Sequence, residues 1–305
     1  MTRPIAVATI AAMEPGTHPH LILASQPDLR DPTLVIAWAG WNDAGEAASH
    51  AVRYLAATMN TDKFASIDPE DYYDFTDVRP LARYRNGHRE ITWPSTDFYA
   101  VRRDNQPRDL ILGVGIEPNY RWKSYMEAIA SLATTMHVGL VVTLGAVAAA
   151  VPHTRPIHVT GSATTTALTT QHRMRPPGYE GPTGIVGVFH DYCRRQQRDA
   201  VSLWASVPHY LPGIVNPHGA RALLEALTPV CDLAVDYTHL EKEHDRFTKQ
   251  VNIAVNEDDE LADYVRRLEE AQPDEAPPTP PAELPTSEAL IDELEDFLRQ
   301  RRNED

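Results

Sequence analysis

The sequence predicts an α/β fold: a mainly parallel sheet in three α/β/α layers, with an antiparallel insertion and a helical C-terminal extension. Three observations predict it. Short apolar runs bounded by glycine ("LVIAWAG", "DLILGVG", "VGLVVTLG") alternate with segments whose apolar residues recur every three to four positions. Asn86-Gly87 lies between two strand-like stretches, the strongest short signal for a hairpin. From Val235 onward only helical periodicity remains.

The elements follow in order. Leu34 to Trp38 form a buried-type strand that runs into Gly40. A helix follows with Ala48, Val52, Leu55 and Met59 on one face, and Asp43 and Glu46 have the spacing of a capping box. After "DKFASID" and a tyrosine-rich stretch, "LARYRNGHREITW" is the hairpin. "FYAVRR" is expected beside it as a third antiparallel strand, so the insertion covers residues 70–103. "DLILGVG" is the next buried strand. A helix with Trp122, Met126, Ile129, Ala133 and Met136 on its face follows, with Asn119 as its expected cap. "VGLVVTLG" and "IHVTG" read as buried strands and "AVSLWASVP" as a strand, "GIVGVFHDYCRRQQ" and "PHGARALLEAL" as helices, the latter with Pro217 near its start. Leu240, His244, Phe247 and Val251 mark one further helix face, and Leu261, Tyr264, Val265 and Leu268 another.

These patterns divide the chain into an α/β domain over residues 1–234 and a helical extension over 235–272. An acidic, proline-rich linker over 273–286 follows, then a terminal amphipathic helix over 287–305. Ser287 is its expected cap, and Leu290, Ile291, Leu294, Phe297 and Leu298 its expected apolar stripe, to dock on a partner or a neighbouring subunit or, alternatively, on the chain's own body.

The 305 residues are 42% hydrophobic, enough for a large core, and no run approaches the length of a membrane helix. "MTRPIAVATIAAM" has one Arg, a weak apolar stretch and no clean cleavage site, so the expected location is the cytoplasm. Cys193 and Cys231 are the only cysteines, which excludes a disulfide framework. The net charge is −15, but Glu257 to Asp305 carry 17 acidic residues against 5 arginines. The acidity therefore belongs to the C-terminal segment and bears on partners and solubility.

Gly40 and Gly45 have the glycine spacing of a phosphate loop, yet Glu46 and Ala47 stand where the lysine and hydroxyl residue belong. A carboxylate there repels phosphate, so the loop is expected to be structural and no nucleotide cofactor is expected. In open parallel sheets ligands bind at the carboxyl ends of strands. Those ends carry Asn42, Asp43, Glu117, Asn119, Arg121, His153, Arg155, Ser162, His209 and Tyr210. Asn42, Asp43, Glu117, Arg121, His153, Arg155 and His209 are the candidate ligand or partner crevice, with Asp43, Glu117, Arg155 and His209 expected near one another. No catalytic set is assigned: Ser162 in "TGSAT" lacks the nucleophile elbow. No metal is expected either. Glu241 and His244 have a di-iron helix spacing without a second copy, and His239 and His244 face different ways. The hairpin's Arg83, Arg85, His88 and Arg89, interleaved with Tyr84 and Trp93, read as a solvated strand face more than a nucleic-acid surface.

"VIAWAGWNDAGEAAS", "LGVGIEPNYRWKSY", "TLGAVAAAVPHTRP", "VTGSAT" and "VPHYL" together resemble the bacterial, especially actinobacterial, branch of the proteasome assembly chaperone family, from about Leu34 to about Leu268. The resemblance implies a three-layer phosphorylase/hydrolase-like α/β fold and a role in protein assembly rather than catalysis. On that basis the chain is expected to be a non-enzymatic, homo-oligomeric protein with a protein partner. The alternative is an enzyme of hydrolase or phosphorylase type, or an ATP-dependent ligase, using the strand-end crevice. Eukaryotic and archaeal members use a C-terminal hydrophobic–tyrosine–any tail; "RQRRNED" does not match it, which argues against that docking mode.

Overall fold

The computed structural model describes residues 18–85, 87–174 and 179–271. Its strands are β1 (Leu21–Leu23), β2 (Thr33–Ala39), β3 (Asp62–Ile67), β4 (Leu81–Arg85), β5 (His88–Thr92), β6 (Thr96–Val101), β7 (Leu110–Ile116), β8 (Leu140–Ala149), β9 (Val159–Ala163) and β10 (Ala200–Pro208). Its helices are α1 (Ala47–Thr58), α2 (Trp122–Thr135), α3 (Thr166–Gln171), α4 (Ile185–Arg195), α5 (Pro217–Cys231), α6 (Thr238–Glu257) and α7 (Asp259–Glu270).

Eight strands form one sheet in the order β1-β3-β6-β7-β2-β8-β10-β9. The central four, β7-β2-β8-β10, are parallel, and the flanking strands join antiparallel. The central runs are apolar at nearly every position because both sheet faces are covered. Val35, Ala37, Leu112 and Leu144 point to the side of α1 and α5. Leu34, Ile36, Trp38 and Ile111 point to the side of α2 and α4. This period-two alternation makes the three layers. A third apolar cluster lies at one end, where Phe247, Val251, Tyr264 and Leu268 of α6 and α7 pack on Tyr210 and Leu211, just beyond β10. No helix among the described residues is long and apolar enough to cross a membrane.

Several expectations are corrected. β6 does not extend the hairpin; it pairs with β3 and β7 in the main sheet. Phe98 is fully buried and needs a core, whereas every residue of β4 and β5 is exposed. Among the described residues the hairpin pairs with no further strand, though Trp93 at its end meets Phe75 edge-on; Arg85 lies opposite His88, and Gly87 has φ 79°. Asn86 lies outside the described residues. β9 is an antiparallel edge strand rather than a buried one. Asn119 does not cap α2: it accepts from the Asp74 amide and donates to Asp77, pinning the tyrosine-rich loop. Residues 272–305, with the expected linker and terminal helix, lie outside the described residues.

Candidate functional site at the strand ends

The hub at the ends of β2 and β7 is Glu117. Its Oε1 accepts from Asn42 Nδ2 at 2.8 Å and from the Ile185 amide at 2.7 Å. Its Oε2 accepts from the Trp41 amide at 3.3 Å. Ile185 is the first residue of α4, so the carboxylate sits where an unpaired helix-start amide and the helix dipole favour negative charge. Gly184 before it is required by close approach, because a Cβ there would lie 1.9 Å from Asn42 Nδ2. One carboxylate thus ties together the β2 loop, the end of β7 and the start of α4. Asn42 is buried, and its Oδ1 has no hydrogen-bond partner among the described residues.

Asp43 caps α1, but not through a capping box. Gly45 and Glu46 both have positive φ, which places a 3-10 turn (Ala44–Glu46) before the helix. The Asp43 carboxylate therefore reaches the amides of Ala48 and Ser49, at 2.6 and 3.2 Å. Glu46 turns outward to Arg53 instead. Burial pushes the Asp43 carboxyl above its ordinary range, and its hydrogen bonds oppose the shift. The left-handed Gly45 also touches the next element: its carbonyl accepts from Asn216, which caps α5, and a Cβ on it would meet Asn216 at 2.9 Å. These contacts give every conspicuous residue of the Gly40–Glu46 loop a structural partner.

The histidines at the ends of β8 and β10 dock the C-terminal helices. The buried His153 ring meets Tyr210 Oη at 2.7 Å through Nδ1 and Asn252 Oδ1 of α6 at 2.8 Å through Nε2. His209 Nδ1 meets the Ala149 carbonyl at 3.0 Å, and its Nε2 meets Tyr264 Oη of α7 at 3.2 Å. Arg155 donates to the Glu269 and Ala271 carbonyls at the end of α7. The strand-end residues therefore divide in two. Asn42, Asp43 and Glu117 organise the starts of α1 and α4, while His153, Arg155, His209 and Tyr210 hold α6 and α7. Among the described residues no hydrogen bond or ion pair joins the two sets, so the expected meeting of Asp43 and Glu117 with Arg155 and His209 is not made by contact. Arg121 belongs to neither set; it pairs with Asp71 on the surface.

The remaining titratable groups are also placed. Ser162 lies on the edge strand β9 opposite Ser202 and, among the described residues, makes no hydrogen bond with His153 or His209. Burial pushes the thiols of Cys193 and Cys231 up to about 12, which makes them inert at neutral pH. His218 and His244 stack at 3.6 Å between α5 and α6. No cluster of three metal-ligating side chains exists among the described residues.

The PAC2 family model matches residues 37–255, from within β2 to near the end of α6. The chain belongs to the PAC2 family. A PAC2 family protein from Streptomyces avermitilis is 41% identical, with a TM-score of 0.72 over 77% of this chain and 100% of that one. A proteasome-assembly chaperone homologue from Mycobacterium tuberculosis is 38% identical, with a TM-score of 0.69 over 76% of this chain and 99% of that one. PbaB, an archaeal proteasome activator from Pyrococcus furiosus, is 18% identical with a TM-score of 0.65 over 77% of this chain and 97% of that one, and shares the fold. A comparison with curated proteins gave no match. The matched region contains both strand-end sets, so the Glu117 hub and the docking histidines lie within the family domain.

Sequence reasoning missed three partners of these residues. Ile185 contributes a backbone amide, which no side-chain motif reveals, although Gly184 before an apolar helix marks the spot. Asn252 and Tyr264 come from helices far along the chain, and Tyr264 reads in sequence only as an apolar-face residue.

Proposed function

We propose that this chain is a non-enzymatic, proteasome-related assembly factor that binds a protein partner and associates with itself in the cytoplasm. The observation that carries the reading is the occupation of the strand-end groups. Glu117 accepts three donors, Asp43 accepts two amides, and both rings of His153 and His209 are held on two sides. A general acid or base needs a free lone pair or proton facing substrate, and these groups spend theirs on holding helices. Membership of the PAC2 family and the 38%-identical chaperone homologue support a proteasome component as the partner. Self-association is supported by the hairpin, which joins no other strand among the described residues. Leu81, Tyr84, Ile91 and Trp93 are each exposed by 46% or more, and a two-stranded ribbon by itself is marginal in water.

The test is reconstitution of proteasome cores from separate α and β subunits of the source organism with the full-length chain present. The expected result is co-elution with unassembled or half-assembled subunits and faster core formation. No co-elution with any intermediate, together with an unchanged rate, overturns the reading. Sedimentation tests self-association: the double variant Tyr84→Glu with Trp93→Glu is expected to shift the oligomer toward monomer.

A further inference from the structure

We propose that β9 is an acceptor edge: an extended peptide segment of a partner protein adds to it as a further strand of the sheet. The inference deepens the protein-partner reading above and rests on it.

The first observation is the hydrogen-bond phase of β9. Ser206 donates to the His158 carbonyl and Thr164 to the Ala200 carbonyl, and Thr160 and Ser162 stand opposite Trp204 and Ser202. In an antiparallel ladder the bonded residues alternate. Residues 158, 160, 162 and 164 therefore face β10, and Val159, Gly161 and Ala163 turn their amides and carbonyls to the open side. Among the described residues nothing bonds to those outward groups.

The second observation is that the strand itself carries no edge guard. Natural sheets protect edges with shortness, proline, charge or bulges. The opposite edge, β1, has only 3 residues. The sequence of β9, "VTGSA", has neither proline nor charge, and its pairing with β10 runs without a register break.

The third observation is the setting. All five residues of β9 line a cleft of about 2150 Å³ bounded by α4, α5 and the segment Tyr179–Thr183. Pockets for single small molecules run to roughly 300–1000 Å³, so the space suits an extended chain better than a metabolite. Its two walls differ. On the α5 side Val159, Ala163, Met174, Ala226 and Val230 belong to the apolar layer. On the α4 side the cleft presents Thr160, Ser162, Ser202 and His190 beside the Trp204 ring, and the α4 charges there, Asp191 and Arg194, are paired with each other. Two residues of that polar wall, Asn42 and His190, each hold a buried polar atom without a partner among the described residues. An added strand sends alternate side chains to opposite faces. The fitting peptide therefore alternates apolar residues with hydroxyl or amide residues, the main chain giving affinity and the two walls giving choice. The recess between helices on both faces favours a thin segment over a second folded copy, whose β9 carries the same flanking helices.

The experiment selects binders from a random octapeptide library on the full-length protein and measures each by fluorescence anisotropy. Three comparisons decide. N-methylation of the peptide at alternate residues removes edge-pairing donors without changing side chains. Gly161→Pro removes one outward amide of β9 and spares the ladder to β10. Gly161→Ala is the control: it keeps the amide, and the nearest atoms to its Cβ are the side-chain atoms Met174 Cγ and Sδ and Leu203 Cδ2, at 3.1–3.2 Å. The expected result is peptides of alternating polarity that bind about tenfold or more weakly when N-methylated in one phase or offered Gly161→Pro, and within about threefold of the parent on Gly161→Ala. If Gly161→Pro fails to fold, the N-methylated peptides decide on the parent protein alone. Absence of any binder, binders indifferent to N-methylation, or a dimer of the chain that Gly161→Pro abolishes would each overturn the proposal. A chain that captures proteasome subunits in the reconstitution yet selects no edge-binding peptide loses this inference and keeps the partner reading.

Discussion

Replacing Glu117 with alanine tests whether one carboxylate organises the strand-end hub. The change strands the Asn42 side-chain amide and the Ile185 backbone amide, whose residues are 2% and 0% exposed. A buried donor left without its acceptor costs about 1–3 kcal/mol. The third donor, the Trp41 amide, makes a longer bond and belongs to a solvent-facing residue, so it contributes little. Two stranded donors therefore cost about 3 kcal/mol, allowing for partial access of water. For a domain of this size that is a fall of about 6–10 °C in thermal midpoint. Glu117→Gln keeps one carbonyl acceptor and is expected to lose about half as much. The assay is urea and thermal unfolding followed by circular dichroism, with exchange of the Ile185 amide as a local reporter. A Glu117→Ala midpoint within 1–2 °C of the parent, with Ile185 equally protected, refutes the hub, since such a change is worth only about 0.5 kcal/mol.

Acidification should loosen the α5–α6 contact. Burial, then the stacked His244, holds the His218 ring down to about 4 from its usual 6.5. The unfolded chain then binds the proton first, so this stability is whole above pH 6.5 and is lost as pH falls toward 4, amounting to about 2 kcal/mol after discounting for partial exposure. Urea midpoints at pH 7 and 4.5 should differ less in His218→Phe than in the parent; equal differences would contradict the assignment. Tyr210→Phe removes the hydroxyl that meets the His153 amide and ring, each at 2.7 Å, and should cost about 2 kcal/mol. Limited proteolysis should then cut within Thr238–Glu270 faster than in the parent, and an unchanged cleavage rate would show that the hydroxyl does not dock α6 and α7. ATP and GTP should give no binding heat at the Gly40–Glu46 loop, because Asp43, Gly45 and Glu46 are committed to α1, Asn216 and Arg53; micromolar affinity that Asp43→Ala abolishes would reverse that conclusion.

What the sequence determined by itself is local and periodic. Unbroken apolar runs can satisfy water exclusion only with both faces covered, so "LVIAWAG", "LILGVG" and "VGLVVTLG" could become little except central strands, and 3.6-residue spacing oriented α1, α2, α5, α6 and α7 before any contact was known. The turn at Gly87 and the start of α5 near Pro217 were equally legible, because backbone angles depend on neighbours a few residues away. Tertiary structure decided what depended on distant partners. "FYAVRR" has the same alternation whether it extends the hairpin or joins the sheet; the burial of Phe98 against the core made the choice. Glu117 looked like a free strand-end acid until the amide of Ile185, 68 residues later, was placed against it. His153 and His209 looked like free crevice residues until α6 and α7 supplied Asn252 and Tyr264. A side chain's chemistry is written in its residue type, but whether its lone pairs remain available is settled only by which distant groups the fold brings within hydrogen-bonding reach.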